Sequence, residues 1–168
     1  ALVDIKARAL GISVVELFGG PTREEVRLYW SHCGTTRARH YQLLGTPPLE
    51  SMDDIAALGR EVVSKGFTAL KTNIVMPGDP ASVYFTGFGG ELGTTDGAVS
   101  KRLLTHIETL IGTLRDAAGP EVDINLDLNF NFKPEACMRI AQVLEPFDLL
   151  WLEIDMYEPK ALLQIKES

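Results

Sequence analysis

Two acidic residues and a lysine, each set in an apolar run, are the side chains of this chain best suited to chemistry. Asp127 lies in DINLDLN (residues 123–129) and Glu153 in LLWLEI (149–154), each near the C-terminal end of its run. Asn129 is two residues past Asp127, so on an extended strand both leave the same face. Lys71 sits in ALKTNIV, with Asn73 two positions on and therefore on its face. Neighbouring carboxylates repel unless a cation or a proton lies between them, and a divalent metal is the simplest such cation. A purely structural reading stands beside this one, since acidic residues at strand ends also cap helices or face water. Lys71 is either an inward ammonium that needs an anion or a lysine snorkelling to the surface. His32 is either a ligand-facing loop residue or incidental. Cys33 reads as a small packing residue, because no His/Asn pattern marks it as a nucleophile.

Positioning these groups requires strands with their C-terminal ends together. The runs 123–129 and 149–154 flank an amphipathic helix over 134–146 that Pro134 opens and Pro146 closes. Such a strand–helix–strand unit has a right-handed crossover and parallel strands, and ligand sites of parallel α/β folds collect at the C-terminal strand ends. The same theme runs through the rest of the chain. A helix over 1–10 stops at Gly11, and a short helical turn over 14–18 ends at Gly19–Gly20–Pro21. A first strand is expected over 26–31, then an irregular Gly/Pro-rich loop through residue 48. Ser51 and Asp54 form a capping-box pattern for a helix over 51–65, ended by Gly66. A second strand follows over 67–75 and a helix over 98–118, and a final helix starts at Pro159. Between them, 76–97 is a long Gly-rich segment with Tyr84, Phe85 and Phe88, which reads as a functional lid. The order predicts an α/β fold: a helix, then the first four β/α units of a TIM-type (β/α)8 barrel, whose usual length is about 250 residues.

Composition excludes other classes. A net charge of −7, with no basic stripe interleaved with aromatics, argues against nucleic acid or anionic membrane as a partner. No apolar run reaches the roughly 18 residues of a membrane span, and no basic-then-apolar leader appears. Two distant cysteines without a CxxC fit a reducing, cytoplasmic compartment. No GxGxxG or GxxxxGK[ST] follows a strand, so dinucleotide and P-loop functions have no support. The chain starts at Ala1 directly in helical periodicity and is expected to be part of a longer polypeptide.

Four segments in order, DIKARALGISVVELFGG, ALKTN, LDLN and WLEID, resemble the barrel of the enolase superfamily, in the mandelate racemase/muconate lactonizing enzyme group. The resemblance covers almost the whole chain. It implies Mg2+ held by three carboxylates, of which Asp127 and Glu153, 26 residues apart as expected of that pair, would be the first two. A substrate carboxylate would chelate the ion, and a base would remove the α-proton to give an enediolate. Lys71 would be catalytic, neutralising that charge, and His32, Asn73 and Asn129 would line the substrate. The third ligand, the base and the small capping domain would lie outside this chain. The full-length protein is expected to be a homo-oligomer.

Departures from the group's pattern narrow the reaction. Its second strand often reads Lys-x-Lys, with the second Lys as base; here that position is Asn73, which cannot take a proton. One-base racemisation is therefore disfavoured, and dehydration of a sugar acid, with a base from later strands, is expected instead. The common Glu-Glu-Pro is Glu153-Ile-Asp155, and Asn129 stands where some dehydratases have His. Two rivals remain: a Schiff-base lyase with Lys71 as nucleophile, and a non-catalytic half-barrel whose open strand edges recruit another chain.

Overall fold

The structure, a computed structural model, describes residues 1–85 and 97–168. Its first elements are helices α1 (Leu2–Leu10) and α2 (Val14–Leu17). Gly11, left-handed at φ 68°, closes α1, and a reciprocal Ser13–Glu16 capping box opens α2. Then come α3 (Thr35–Leu44), α4 (Met52–Ser64), β1 (Ala69–Thr72), β2 (Val75–Met76) and β3 (Ser82–Val83). The chain continues with α5 (Lys101–Ala118), β4 (Asp123–Asp127), α6 (Pro134–Leu144), a 3-10 turn (Glu145–Phe147), β5 (Trp151–Glu153) and α7 (Pro159–Glu167).

β1, β4 and β5 form a parallel sheet in that order, as expected for strands joined by helical crossovers. Strand alternation divides their side chains. Leu70, Ile124 and Leu126 are fully buried in the same core as Ile55, Leu58 and Val62 of α4, Ile107, Leu110, Ile111 and Leu114 of α5, and Ile140 of α6. The opposite parity carries Lys71, Asn125, Asp127, Trp151 and Glu153. Register pairs Lys71 with Asn125, Asn125 with Trp151, and Asp127 with Glu153. α4 and α5 approach closely at Gly59, where a Cβ would lie 2.9 Å from that of Ala117.

The predicted helices over 51–65, 98–118 and 134–146 are present as α4, α5 and α6, and the capping box at Ser51–Asp54 forms as read. Three expectations need correction. The segment 26–31 makes only one parallel bridge, Trp30 to Leu70, because β1 starts at Ala69 and leaves it little ladder to pair with; Val26 and Leu28 are exposed. The supposed loop after it contains α3, whose polar sequence has little amphipathic signal. It is held by tertiary partners instead: Thr35, Arg37 and Ala38 are buried, and Arg37 pairs with Glu61 of α4 at 2.8 Å. The second strand is cut short at Thr72, and Val75–Met76 leaves the sheet to pair antiparallel with Ser82–Val83. Of the predicted lid, residues 86–96, including Phe88, lie outside the described residues. Among the described residues no helix is long and apolar enough to cross a membrane.

Candidate active site

β4 and β5 are neighbours in register, so Asp127 and Glu153 emerge side by side at their C-terminal ends. Lys71 rises from β1, on the far side of β4, and reaches both. Its Nζ donates to Asp127 Oδ2 at 2.9 Å and to Glu153 Oε2 at 2.6 Å. The Lys71 and Asp127 side chains are only 12% and 10% exposed, so this is a partly desolvated ion triad. Burial pulls the Lys71 ammonium toward neutrality, but its hydrogen bonds to Glu153 and Asp127, with the charges of those carboxylates, hold its pKa above the ordinary lysine value. Asp155 lies just beyond β5. Burial, then the charges of Asp127 and Glu153, push its carboxyl above the usual range, against the opposing pull of Lys71.

The backbone fixes Asp127 from two directions. Its Oδ1 accepts the Asn129 N–H at 2.8 Å, a contact made possible by the left-handed turn at Asn129 (φ 53°). Its carbonyl accepts Asn73 Nδ2 at 3.2 Å, while Asn73 Oδ1 accepts Thr35 Oγ1 at 2.8 Å. Asn73 is therefore a buried tie between α3, β1 and β4. Asn129 Nδ2 is a buried donor with no partner among the described residues. Below the pair, Trp151 packs edge-on against Tyr29 with centroids 5.6 Å apart, and its indole N–H reaches Glu153 Oε2 at 3.4 Å.

The structure thus brings Lys71, Asp127, Glu153 and Asn129 together, with Asn73 directly behind them. It does not bring His32 to them. His32 adopts φ 53°, bonds to Ser31 Oγ at 3.0 Å, and lines a cavity with Trp30, Arg37, Leu58 and Glu61 on the helix side of the sheet. Asn125 escaped the sequence reading. It is fully buried one layer beneath Asp127, and neither its amide oxygen nor its nitrogen has a partner among the described residues. Its parity with Asp127 in INLDLN was the available signal.

The donor set suits a hard divalent cation in kind: two carboxylates at adjacent strand ends, with oxygen ligands only. In number it is short, since among the described residues no group of three or more His, Cys, Asp or Glu side chains is placed to hold a metal.

The family model described as enolase C-terminal domain-like matches residues 54–163. A D-mannonate dehydratase of Caulobacter sp. (strain K31) is 28% identical over 160 residues, 91% of this chain and 36% of that protein. A crystal structure of a candidate L-alanine-DL-glutamate epimerase of Burkholderia xenovorans strain LB400 is 38% identical, with a TM-score of 0.90 over 99% of this chain and 42% of its own. The same protein bound to magnesium and fumarate superposes with a TM-score of 0.88 at 38% identity, over 99% of this chain and 41% of that one. The chain spans well under half the length of each of these relatives.

Proposed function

The chain belongs to the enolase C-terminal domain-like family, and from that premise we propose that it forms the first four β/α units of a (β/α)8 barrel that abstracts the proton α to a carboxylate with the help of Mg2+, in the dehydration of a sugar acid. The observation that carries this reading is the Asp127–Lys71–Glu153 triad at the C-terminal ends of adjacent parallel strands. Support for the metal and for a carboxylate ligand comes from the relative bound to magnesium and fumarate, and support for elimination from the mannonate dehydratase.

Asp127 and Glu153 would hold the ion, which when bound supplies Lewis-acid polarisation of the substrate carboxylate. Asn129 and Asn73 keep Asp127 in place through its Oδ1 and its carbonyl. Lys71 brings a preset ammonium to the point where negative charge gathers as the α-proton leaves. Asn73 has no basic lone pair and is already bonded to Thr35 and Asp127, so it does not serve as the base. In the elimination the C–H electron pair becomes a C=C bond, the 3-hydroxyl departs with a proton as water, and the enol tautomerises to a 2-keto-3-deoxy acid. His32 has no part in this chemistry from its place on the helix side.

A Schiff-base role for Lys71 is disfavoured, because a nucleophilic lysine must be neutral and two carboxylates hold this one charged. The 38% identity to an epimerase-like protein favours an isomerase as the second reading, and Asn73 at the position of a base weighs against it. The full-length polypeptide carrying this segment, incubated with Mg2+ in D2O and a panel of sugar acids, should release 2-keto-3-deoxy acids detectable with semicarbazide. Asp127→Asn and Glu153→Gln should each abolish that product. Deuterium entry at Cα without elimination would favour the isomerase, and neither event with any acid would refute the proposal. The 168-residue chain alone, with two carboxylates of a three-carboxylate set, is expected to bind Mg2+ weakly and to turn over nothing.

A further inference from the structure

A metal at Asp127 and Glu153 and the ammonium of Lys71 would draw on the same two carboxylates. Asp127 Oδ1 accepts the Asn129 N–H at 2.8 Å, and Lys71 holds Oδ2 at 2.9 Å, so both oxygens of this carboxylate already have a donor. At Glu153 the atom held by Lys71, at 2.6 Å, is Oε2, which also takes the Trp151 indole N–H. The lysine crosses β4 to reach Glu153, so one charge on a long flexible stem bridges carboxylates on two different strands. Such a stem can leave without moving the backbone.

We propose that Lys71 is a tethered counter-ion that sets the metal affinity of this site: it holds Asp127 and Glu153 together in the metal's place, and a divalent cation binds by displacing it. The ammonium released in this way keeps its charge beside the ion and is then available to an anionic ligand. A divalent cation and Lys71 therefore exchange places, and metal binding precedes a strong grip on a carboxylate. This inference rests on the metal reading above, and the two can fail separately.

The test is Mn2+ binding to the full-length polypeptide carrying this segment, read from loss of the free-ion paramagnetic resonance signal, with no need of activity. Lys71→Met removes the competitor and should bind Mn2+ about tenfold more tightly than the wild type, equivalent to about 1.4 kcal/mol. Without metal the same variant should melt at a lower temperature than wild type, because its two carboxylates then face each other uncompensated, and Mn2+ should raise its melting temperature by more. Lys71→Arg keeps the charge and should bind Mn2+ no more tightly than wild type. Should Lys71→Met fail to fold, Lys71→Gln carries the same expectation of tighter binding, and the Lys71→Arg comparison stands by itself. Equal or weaker Mn2+ binding by the uncharged variants, or tighter binding by Lys71→Arg, would overturn the counter-ion role while leaving the metal site intact. Absence of Mn2+ binding in wild type and every variant would overturn both.

Discussion

Arg115 sits in the last turn of α5, and its guanidinium ties down the approaches to both strands that carry the carboxylates. Nε and Nη2 donate to the Phe147 carbonyl at 3.2 and 3.0 Å, and Nη2 also to Asp148 at 3.1 Å, in the turn that leads into β5. Nη1 donates to Gly119 at 3.2 Å and to Val122 at 2.5 Å, just before β4. Each hydrogen bond from a charged donor contributes roughly 1.5–3 kcal/mol when buried, but these share one cation and several acceptors regain water on its removal. The loss in Arg115→Ala is therefore about 3 kcal/mol, including about 0.5 kcal/mol for the favourable charge at the C-terminus of α5. For a chain of this size each kcal/mol moves the melting temperature by about 2–4 °C, so Arg115→Ala should melt about 6–12 °C lower. Arg115→Lys keeps the charge without the planar fork and should lose about half as much. Thermal and urea unfolding followed by circular dichroism measure both. A loss below about 0.5 kcal/mol in Arg115→Ala, the range of an ordinary surface substitution, would refute the view that this residue clamps the strand entrances.

Other substitutions probe the layers around the site. Asn125→Leu removes two buried polar atoms that have no partner among the described residues, and should stabilise the 168-residue chain by about 1 kcal/mol in urea unfolding; destabilisation would reveal a polar partner for it. Gly59→Ala gains helix propensity of about 1 kcal/mol but drives a methyl to 2.9 Å from Ala117, and overpacking costs about 1–3 kcal/mol, so a net loss near 1 kcal/mol is expected. Burial pushes the thiols of Cys33 and Cys137 up to about 12 and about 11, so neither should react with a thiol reagent at pH 8 until the chain is denatured. Both titrate more easily unfolded than folded. Their contribution to stability is therefore complete below the ordinary thiol value near 9 and declines as pH rises from there toward 11 and 12, as alkaline unfolding curves should show.

What could be read beforehand follows the reach of each interaction along the chain. α4, α5 and α6 announce themselves because burial repeats at helical spacing and Ser51, Gly119 and Pro134 mark their ends. The convergence of Lys71, Asp127 and Glu153 follows from strand parity and parallel order alone. α3 stayed hidden because its stability comes from Asn73 and Glu61, which lie 38 and 24 residues from their partners Thr35 and Arg37. The role of Arg115 was invisible for the same reason, since its acceptors are main-chain carbonyls, which have no sequence signature. His32 was open between a ligand-facing and an incidental place because it falls just past the first extended segment; two residues on from Trp30, which bridges the core residue Leu70, it lines the cavity on the helix side.

The order of pairing in the sheet repeats the order of synthesis: the Trp30 segment joins β1, β1 joins β4, and β4 joins β5. Each newly made strand would find its sheet neighbour already synthesised, and no strand has to be inserted between two others. Each addition still has to close a long crossover, 54 residues between the paired Ala69 and Asp123, so the parallel pairings are the slow steps. A ribosome releasing this chain would therefore expose a single growing edge, and the cradle for Lys71 would be complete only when Glu153 had emerged.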